Sequence, residues 1–201
     1  MYIYLLTKQG ENKIPKQITK LEPIENTAIK LFAKRGIKDV TIKDIASEAG
    51  CSDGALYRHY KSKEEMAWTL YKREVESFGA LIKDILENKD LSNEKKIYSA
   101  IELFYDFYDK QPTKFSFILL SQYNFSRQLK VNKELNPYNI MKGCLRGMTK
   151  GKKIKDLDLL SGMVFGLILE PARMKATNEL KGKLKDRTDA VYKACMSVIS
   201  N

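Results

Sequence analysis

Three features of the 201-residue sequence predict an all-α fold. Apolar residues recur at three- and four-residue intervals in one segment after another, two short segments flank Gly50 in a tight turn, and one segment holds its period for about six turns. The expected layout is an N-terminal three-helix unit containing a helix-turn-helix, joined by the long helix to a larger C-terminal helical unit.

Residues 1–20 mix Gly, Pro, Asn and Lys without helical period and read as a loose arm. Two readings stay open for it. It is a tail packed by Tyr2, Ile3, Tyr4 and Leu5, or an arm whose Lys8, Lys13, Lys16 and Lys20 reach a polyanion. Ile24, Ala28, Leu31 and Phe32 then repeat at helical spacing, with Pro23 tolerated in a first turn and Gly36 as a stop. Thr41 and Asp44 have the spacing of a helix N-terminus, where the hydroxyl caps a free backbone N–H. Ile42, Ile45, Ala46 and Ala49 give that helix an apolar face, and Gly50 supplies a left-handed terminator. Ser52 is the next capping candidate, and Ala55, Leu56 and Tyr57 open a second short helix.

Ser62 and Glu65 have capping-box spacing, and Met66, Leu70, Tyr71, Val75, Phe78, Ile82, Ile85 and Leu86 keep period in the long helix. A helix of that length joins two parts rigidly, so movement in the rear displaces the front. From Ser92, Ile97, Ala100, Ile101, Phe104, Phe107 and Tyr108 mark another amphipathic helix, stopped at Gln111 before Pro112. Pro112 starts a mostly apolar helix with Phe115, Phe117, Ile118, Leu119 and Leu120, followed by Tyr123 and Phe125. Pro137 starts one bearing Ile140, Met141, Cys144, Leu145 and Met148, closed by Gly151. Lys150, Lys152, Lys153 and Lys155 form a basic loop, either solvated or able to hold an anion.

The helix expected from Leu157 to Met174 is apolar on more than one side, so one of its fronts needs a cover beyond its own core. Gly162 and Gly166 share a face that admits another backbone closely, and Pro171 is expected to bend the helix near its end. Leu180, Leu184, Arg187, Val191, Ala194 and Val198 repeat at steps of three and four, a seam for helix-on-helix packing.

Composition narrows the function classes. The net charge of +11 and pI of about 9.4 suit a polyanionic partner. The excess is spread, with 14 Lys/Arg against 10 Asp/Glu in residues 1–74 and 22 against 15 in residues 75–201, so charge alone does not locate a binding face. Cys51, Cys144 and Cys195 have no paired or metal-ligand spacing, which fits a reducing, cytoplasmic setting. The longest apolar run, Gly162 to Leu169, is far below the roughly 20 residues of a membrane span. The apolar start Tyr2 to Leu6 is shorter than the roughly 7–15 residues of a secretory core. His59 is the one histidine, and no nucleophile-and-base set, phosphate-cradling Gly loop or metal-ligand pair stands beside it. Neither an enzyme, a metal site nor a cofactor is expected.

Thr41, Asp44-Ile45-Ala46, Ala49-Gly50, Ser52, Gly54, Leu56-Tyr57, Tyr60 and Ser62-Lys63 together resemble the DNA-binding signature of the TetR family of bacterial transcriptional regulators. The likeness runs from about Ile24 to Met66; beyond it only the all-helical layout agrees. It implies a flexible arm over residues 1–20, a helix-turn-helix DNA-binding domain over 21–67 and a ligand-binding and dimerisation domain over 68–201. The implied partners are double-stranded DNA carrying a palindromic operator, a small apolar ligand and a second copy of the chain.

By the same resemblance the second short helix enters the major groove, and Thr41, Lys43, Ser52, Asp53, Gly54, Ala55, Tyr57, His59 and Lys63 face DNA. Thr41, Lys43, Tyr57, His59 and Lys63 carry donors suited to phosphate oxygens. Asp53, Gly54 and Ala55 stand nearer base edges, with Asp53 equally readable as a charge offsetting the helix dipole. Tyr57 is read as a DNA contact against a core aromatic, and His59 as a contact or a plain surface residue. Phe104, Phe107, Tyr108, Phe117, Leu120, Tyr123 and Phe165 are the candidate ligand lining against plain core. Gly162, Gly166, Leu184, Val191 and Val198 are the candidate dimer seam against core helices of a monomer. The implied function is a repressor released by its ligand; the alternative is a DNA-binding scaffold governed by a protein partner, which a solid C-terminal core would favour.

Overall fold

The computed structural model describes residues 21–129, 137–149 and 156–200, and among them there are α-helices and no strand. The helices are α1 (Leu21–Arg35), α2 (Ile42–Ala49), α3 (Asp53–Tyr57), α4 (Lys63–Glu87), α5 (Asn93–Lys110), α6 (Pro112–Ser121), α7 (Ser126–Leu129), α8 (Pro137–Met148), α9 (Leu157–Ala176) and α10 (Thr188–Ser200). The arm at 1–20, the loop lysines Lys150, Lys152, Lys153 and Lys155, and the Gly151 stop lie outside the described residues.

Two apolar cores share α4. Its first half gives Met66, Leu70, Tyr71 and Val75 to a core built with Ile24, Ala28, Ile29 and Phe32 of α1, Ile45 of α2 and Leu56 of α3. Its second half gives Phe78, Ile82 and Leu86 to a core built with α5, α8, α9 and α10. The 25 residues of α4 make a rod of about 37 Å, at 1.5 Å rise per residue. Helix α6 also serves both cores: Phe115 and Leu119 enter the second and Phe117 the first.

Helix ends follow local chemistry, with departures from expectation at the start of α4 and ahead of α10. Ser62 Oγ accepts the Glu65 N–H at 3.0 Å, but the Glu65 carboxylate accepts from Lys61 N–H at 2.7 Å instead of closing the box on Ser62. The seam read from Leu180 to Val198 is not one helix, since α10 begins only at Thr188 after a single 3-10 turn, Lys185–Arg187. Left-handed backbone at Gly182 (φ 82°) breaks it, after Asn178 (φ 63°) has turned the chain out of α9. The Asp109 carboxylate of α5 then accepts the Leu184 and Lys185 N–H groups, both at 3.0 Å. Helix α9 runs on through Pro171 to Ala176.

Candidate DNA-binding face and effector cavity

Thr41 and Asp44 start α2 with a reciprocal cap. Thr41 Oγ1 accepts the Asp44 N–H at 3.1 Å, while Asp44 Oδ2 accepts the Thr41 N–H and hydroxyl, each at 2.8 Å. Arg35 fastens this cap to the end of α1 through the Asp39 carbonyl at 2.8 Å and Asp44 Oδ2 at 3.4 Å. The Thr41 N–H and hydroxyl, helped by Arg35, hold the Asp44 carboxyl below its ordinary value. A lowered folded-state pKa means that this stabilisation is present above the ordinary carboxylate range and is lost as pH falls through it. Thr41→Ala is expected to cost about 1 kcal/mol in denaturant unfolding.

Gly50 ends α2 at φ 66°, in the left-handed region where L side chains are strained, and Cys51 N–H returns to the Ala46 carbonyl at 2.9 Å. Helix α3 starts at Asp53, and Ser52 makes no side-chain cap, contrary to its sequence reading. Leu56 is fully buried and is the pin of α3; the His59 and Tyr60 N–H groups both close on its carbonyl at 2.9 Å.

Around that pin Thr41, Lys43, Ser52, Gly54, Tyr57 and His59 are exposed, whereas Asp53 and Ala55 are half-buried. Tyr57 is 57% exposed, so it is no part of the small core. Lys63 is half-buried and its Nζ donates to the Lys38 carbonyl at 3.2 Å, tying α4 to the α1–α2 loop. Arg58, exposed between Tyr57 and His59, adds a charged donor that the sequence reading passed over.

Behind this face lies a polar chain, buried at Glu25 and Tyr60, that sequence also missed. Tyr60 donates its hydroxyl to Glu25 on α1, and Arg73 of α4 holds the other Glu25 oxygen at 2.7 Å. Glu74, likewise buried, stands 3.7 Å from Arg73 and 3.4 Å from Lys114 of α6. Burial first, then the bond to Glu25, pushes the Tyr60 phenol well above its ordinary value. The available signal was a carboxylate, Glu25, on the apolar stripe of α1.

A cavity of about 240 Å³ opens in the second half. Val75 and Phe78 of α4, Phe104 of α5, Phe115, Ile118 and Leu119 of α6, and Phe165 and Leu169 of α9 give it an apolar lining, with Tyr71 of α4, Gln122 and Tyr138 as its residues with polar groups. Of the residues read as ligand lining, Phe104 and Phe165 stand on this wall. Phe107 lies behind it, its ring 5.2 Å from Phe78 and 5.8 Å from Phe115. Tyr108 packs on Phe115 at 5.2 Å and faces a different groove. Phe117 points the other way, into the first core, stacked on Phe32 at 5.9 Å. Leu120 and Tyr123 are 41% and 81% exposed and do not line the cavity.

On the outer face of α9 and α10, a Cβ built at Gly162 or Gly166 meets nothing within 4 Å. Gly166, Val191 and Val198 line an apolar groove with Met163 and Pro171. Leu184 does not belong there: it is fully buried in the chain's own core, drawn in by the Asp109 anchor.

A capped helix pair about Gly50, carried on a rod shared with a hollow helical half, defines a helix-turn-helix transcriptional regulator. Residues 24–67 match the family described as bacterial regulatory proteins, tetR family. That match spans α1 through the start of α4, the helix-turn-helix region of a transcription regulator. It is 27% identical over 184 residues to the fatty acid metabolism regulator protein of Bacillus subtilis (strain 168), covering 89% of this chain and 94% of that one. Among solved structures, the FadR regulator of Bacillus subtilis in complex with stearoyl-CoA superposes with a TM-score of 0.72 at 23% identity, over 89% of this chain and 98% of that one. The fatty acid degradation regulator FadR of Bacillus halodurans gives 0.72 at 22% identity, over 88% and 97%. Among the described residues no helix is long and apolar enough to cross a membrane.

Proposed function

We propose that the protein is a cytoplasmic repressor that binds a palindromic operator as a homodimer and is released by an acyl chain, carried as a thioester, in its C-terminal cavity. Residues 21–67 engage DNA, and residues 68–201 hold the ligand and the partner copy. Helix α3 lies in the major groove, and its two-fold mate reaches a groove about 34–36 Å away or a multiple of that. Thr41, Lys43, Tyr57, His59 and Lys63 meet phosphates; Gly54 and Ala55 meet base edges. Asp53, opening a helix whose first N–H groups Ser52 leaves uncapped, either offsets the dipole or accepts from cytosine. Gly162, Gly166, Val191 and Val198 form the seam between copies.

The observation that carries this reading is the position of the cavity. It is walled by α4 and α6, and those two helices also build the core under the DNA-binding face. An apolar ligand fills the space best when α4 and α6 move apart, and both motions reach α1 and α3. Release then follows from the ligand's differential affinity for the two arrangements. The hollow core favours a small molecule over a protein partner, and the apolar wall with one amide and two phenols suits a hydrocarbon chain. The acyl identity is supported by the relative named for fatty acid metabolism and by the stearoyl-CoA in the Bacillus subtilis structure.

Selection of bound fragments from random DNA, with and without long-chain acyl-CoA, tests the proposal. Inverted repeats that are lost at saturating acyl-CoA are expected. Asymmetric sites indifferent to acyl-CoA would overturn it. On the selected operator, Tyr57→Ala is expected to weaken binding about tenfold and by a similar factor on unrelated duplexes, measured by anisotropy, because a phosphate contact carries little sequence information.

A further inference from the structure

On another face of α6 lies a second concavity, a groove of about 420 Å³. Lys30 and Lys34 come from α1, Thr113 and Ser116 from α6, Lys175 from α9, and Tyr108 forms part of its wall. The two hollows use different faces of one helix: Phe115, Ile118 and Leu119 line the first, and Pro112, Thr113 and Ser116 the second. The groove therefore lies where the DNA-binding half meets the rear half, beside the Phe32–Phe117 stack.

Its chemistry is one-sided. Lys30 shares its charge with Glu48 at 3.1 Å, while among the described residues no carboxylate lies within ion-pair distance of Lys34 or Lys175. Helix α6 begins with Pro112 at its first position and Gln111 gives no side-chain cap. Its first internal bond runs from Phe115 N–H to the Gln111 carbonyl at 3.0 Å, so the Thr113 and Lys114 N–H groups have no partner within the helix. The carboxylates nearby are engaged: Asp109 by the Leu184 and Lys185 N–H groups, and Asp106 by Lys110 and Lys185.

We propose that this groove is a second effector site that takes a small phosphorylated anion, held between Lys34 of α1 and Lys175 of α9 over the N-terminal turn of α6. Ammonium groups, a hydroxyl and the positive end of a helix converge there from both halves of the chain, which is the donor set of an oxyanion site. Bridging the two lysines fixes α1 against α6 and α9. The bound anion stabilises the fold and restrains the seam through which the recognition helix is displaced. The site is independent of the acyl reading, because it shares no lining residue with the apolar cavity.

Thermal unfolding of the full chain, titrated with inorganic phosphate against sodium chloride at equal ionic strength, is the test, with amide shifts of Thr113 and Lys114 as a second readout. Expected are a Tm rise that saturates, movement of those two amides, and a half-saturating concentration raised about tenfold in Lys34→Gln/Lys175→Gln. Lys89→Gln, exposed in the loop after α4, is expected to leave the titration unchanged. A nucleoside monophosphate arm separates sources: tighter binding than phosphate identifies a phosphate ester, and equal or weaker binding identifies free phosphate. A rise that never saturates and is the same in the double variant is general salting-out and would overturn the proposal. So would abolition of the effect by Lys89→Gln.

Discussion

Phe117→Ala is expected to lose about 3–5 kcal/mol of stability in denaturant unfolding, the range for emptying a buried aromatic site. The ring is fully buried, stacked on Phe32 at 5.9 Å and edge-on to Tyr71 at 6.2 Å. It is the wedge by which α6 enters the core beneath the DNA-binding face. Truncation therefore leaves a hole among α1, α4 and α6 and also loosens the connection between the cavity wall and the recognition helix. Phe117→Leu keeps most of the volume and is expected to cost about 1.5 kcal/mol or less, leaving a folded protein in which the connection can be measured. In that variant, acyl-CoA is expected to bind with nearly unchanged affinity but to lower operator affinity about tenfold less than in the parent. Unchanged release in Phe117→Leu would show that α4 alone carries the movement.

The helix-turn-helix was legible because its determinants are local. A hydroxyl three residues before a carboxylate and a glycine at the turn fix α2 through neighbours in sequence, and Thr41, Asp44 and Gly50 behave accordingly. The cavity was not legible to the same degree. Helix α6 is apolar on most of its circumference, so periodicity does not say which face meets which core: Phe117 turned to the front, Leu120 to solvent, and Ile118 to the cavity. The long rod hid Tyr71 and Val75 for the opposite reason, its single stripe serving two cores in succession. Leu184 was misread because an apolar repeat carries no record of Asp109, 75 residues away in sequence, which holds the chain out of helix there. The Glu25–Tyr60–Arg73 chain likewise spans 48 residues, beyond any spacing rule.

Gly166→Arg is expected to convert the proposed dimer to single subunits and to reduce operator affinity by about a hundredfold to ten-thousandfold, because each half-site then binds without its tethered mate. The substitution is clean within one copy. A Cβ at Gly166 meets nothing within 4 Å, and the position is exposed in the middle of α9. Replacing a mid-helix glycine by arginine also favours the helix by roughly 0.5–1 kcal/mol. The cost falls on the approach of a second copy, where a glycine on one face admits a backbone that a guanidinium stem excludes and charges. The surrounding wall supports this location: Met163 is 49% exposed and Leu159 61% exposed on the same helix, a contiguous apolar strip that a free surface would leave in water. Sedimentation equilibrium reads the mass, far-ultraviolet circular dichroism the retained helix, and anisotropy the operator affinity. Full helicity with a monomer mass and weakened binding places the two-fold seam on α9. A dimer mass with unaltered affinity would move the seam to another face and detach Gly162, Gly166, Val191 and Val198 from it.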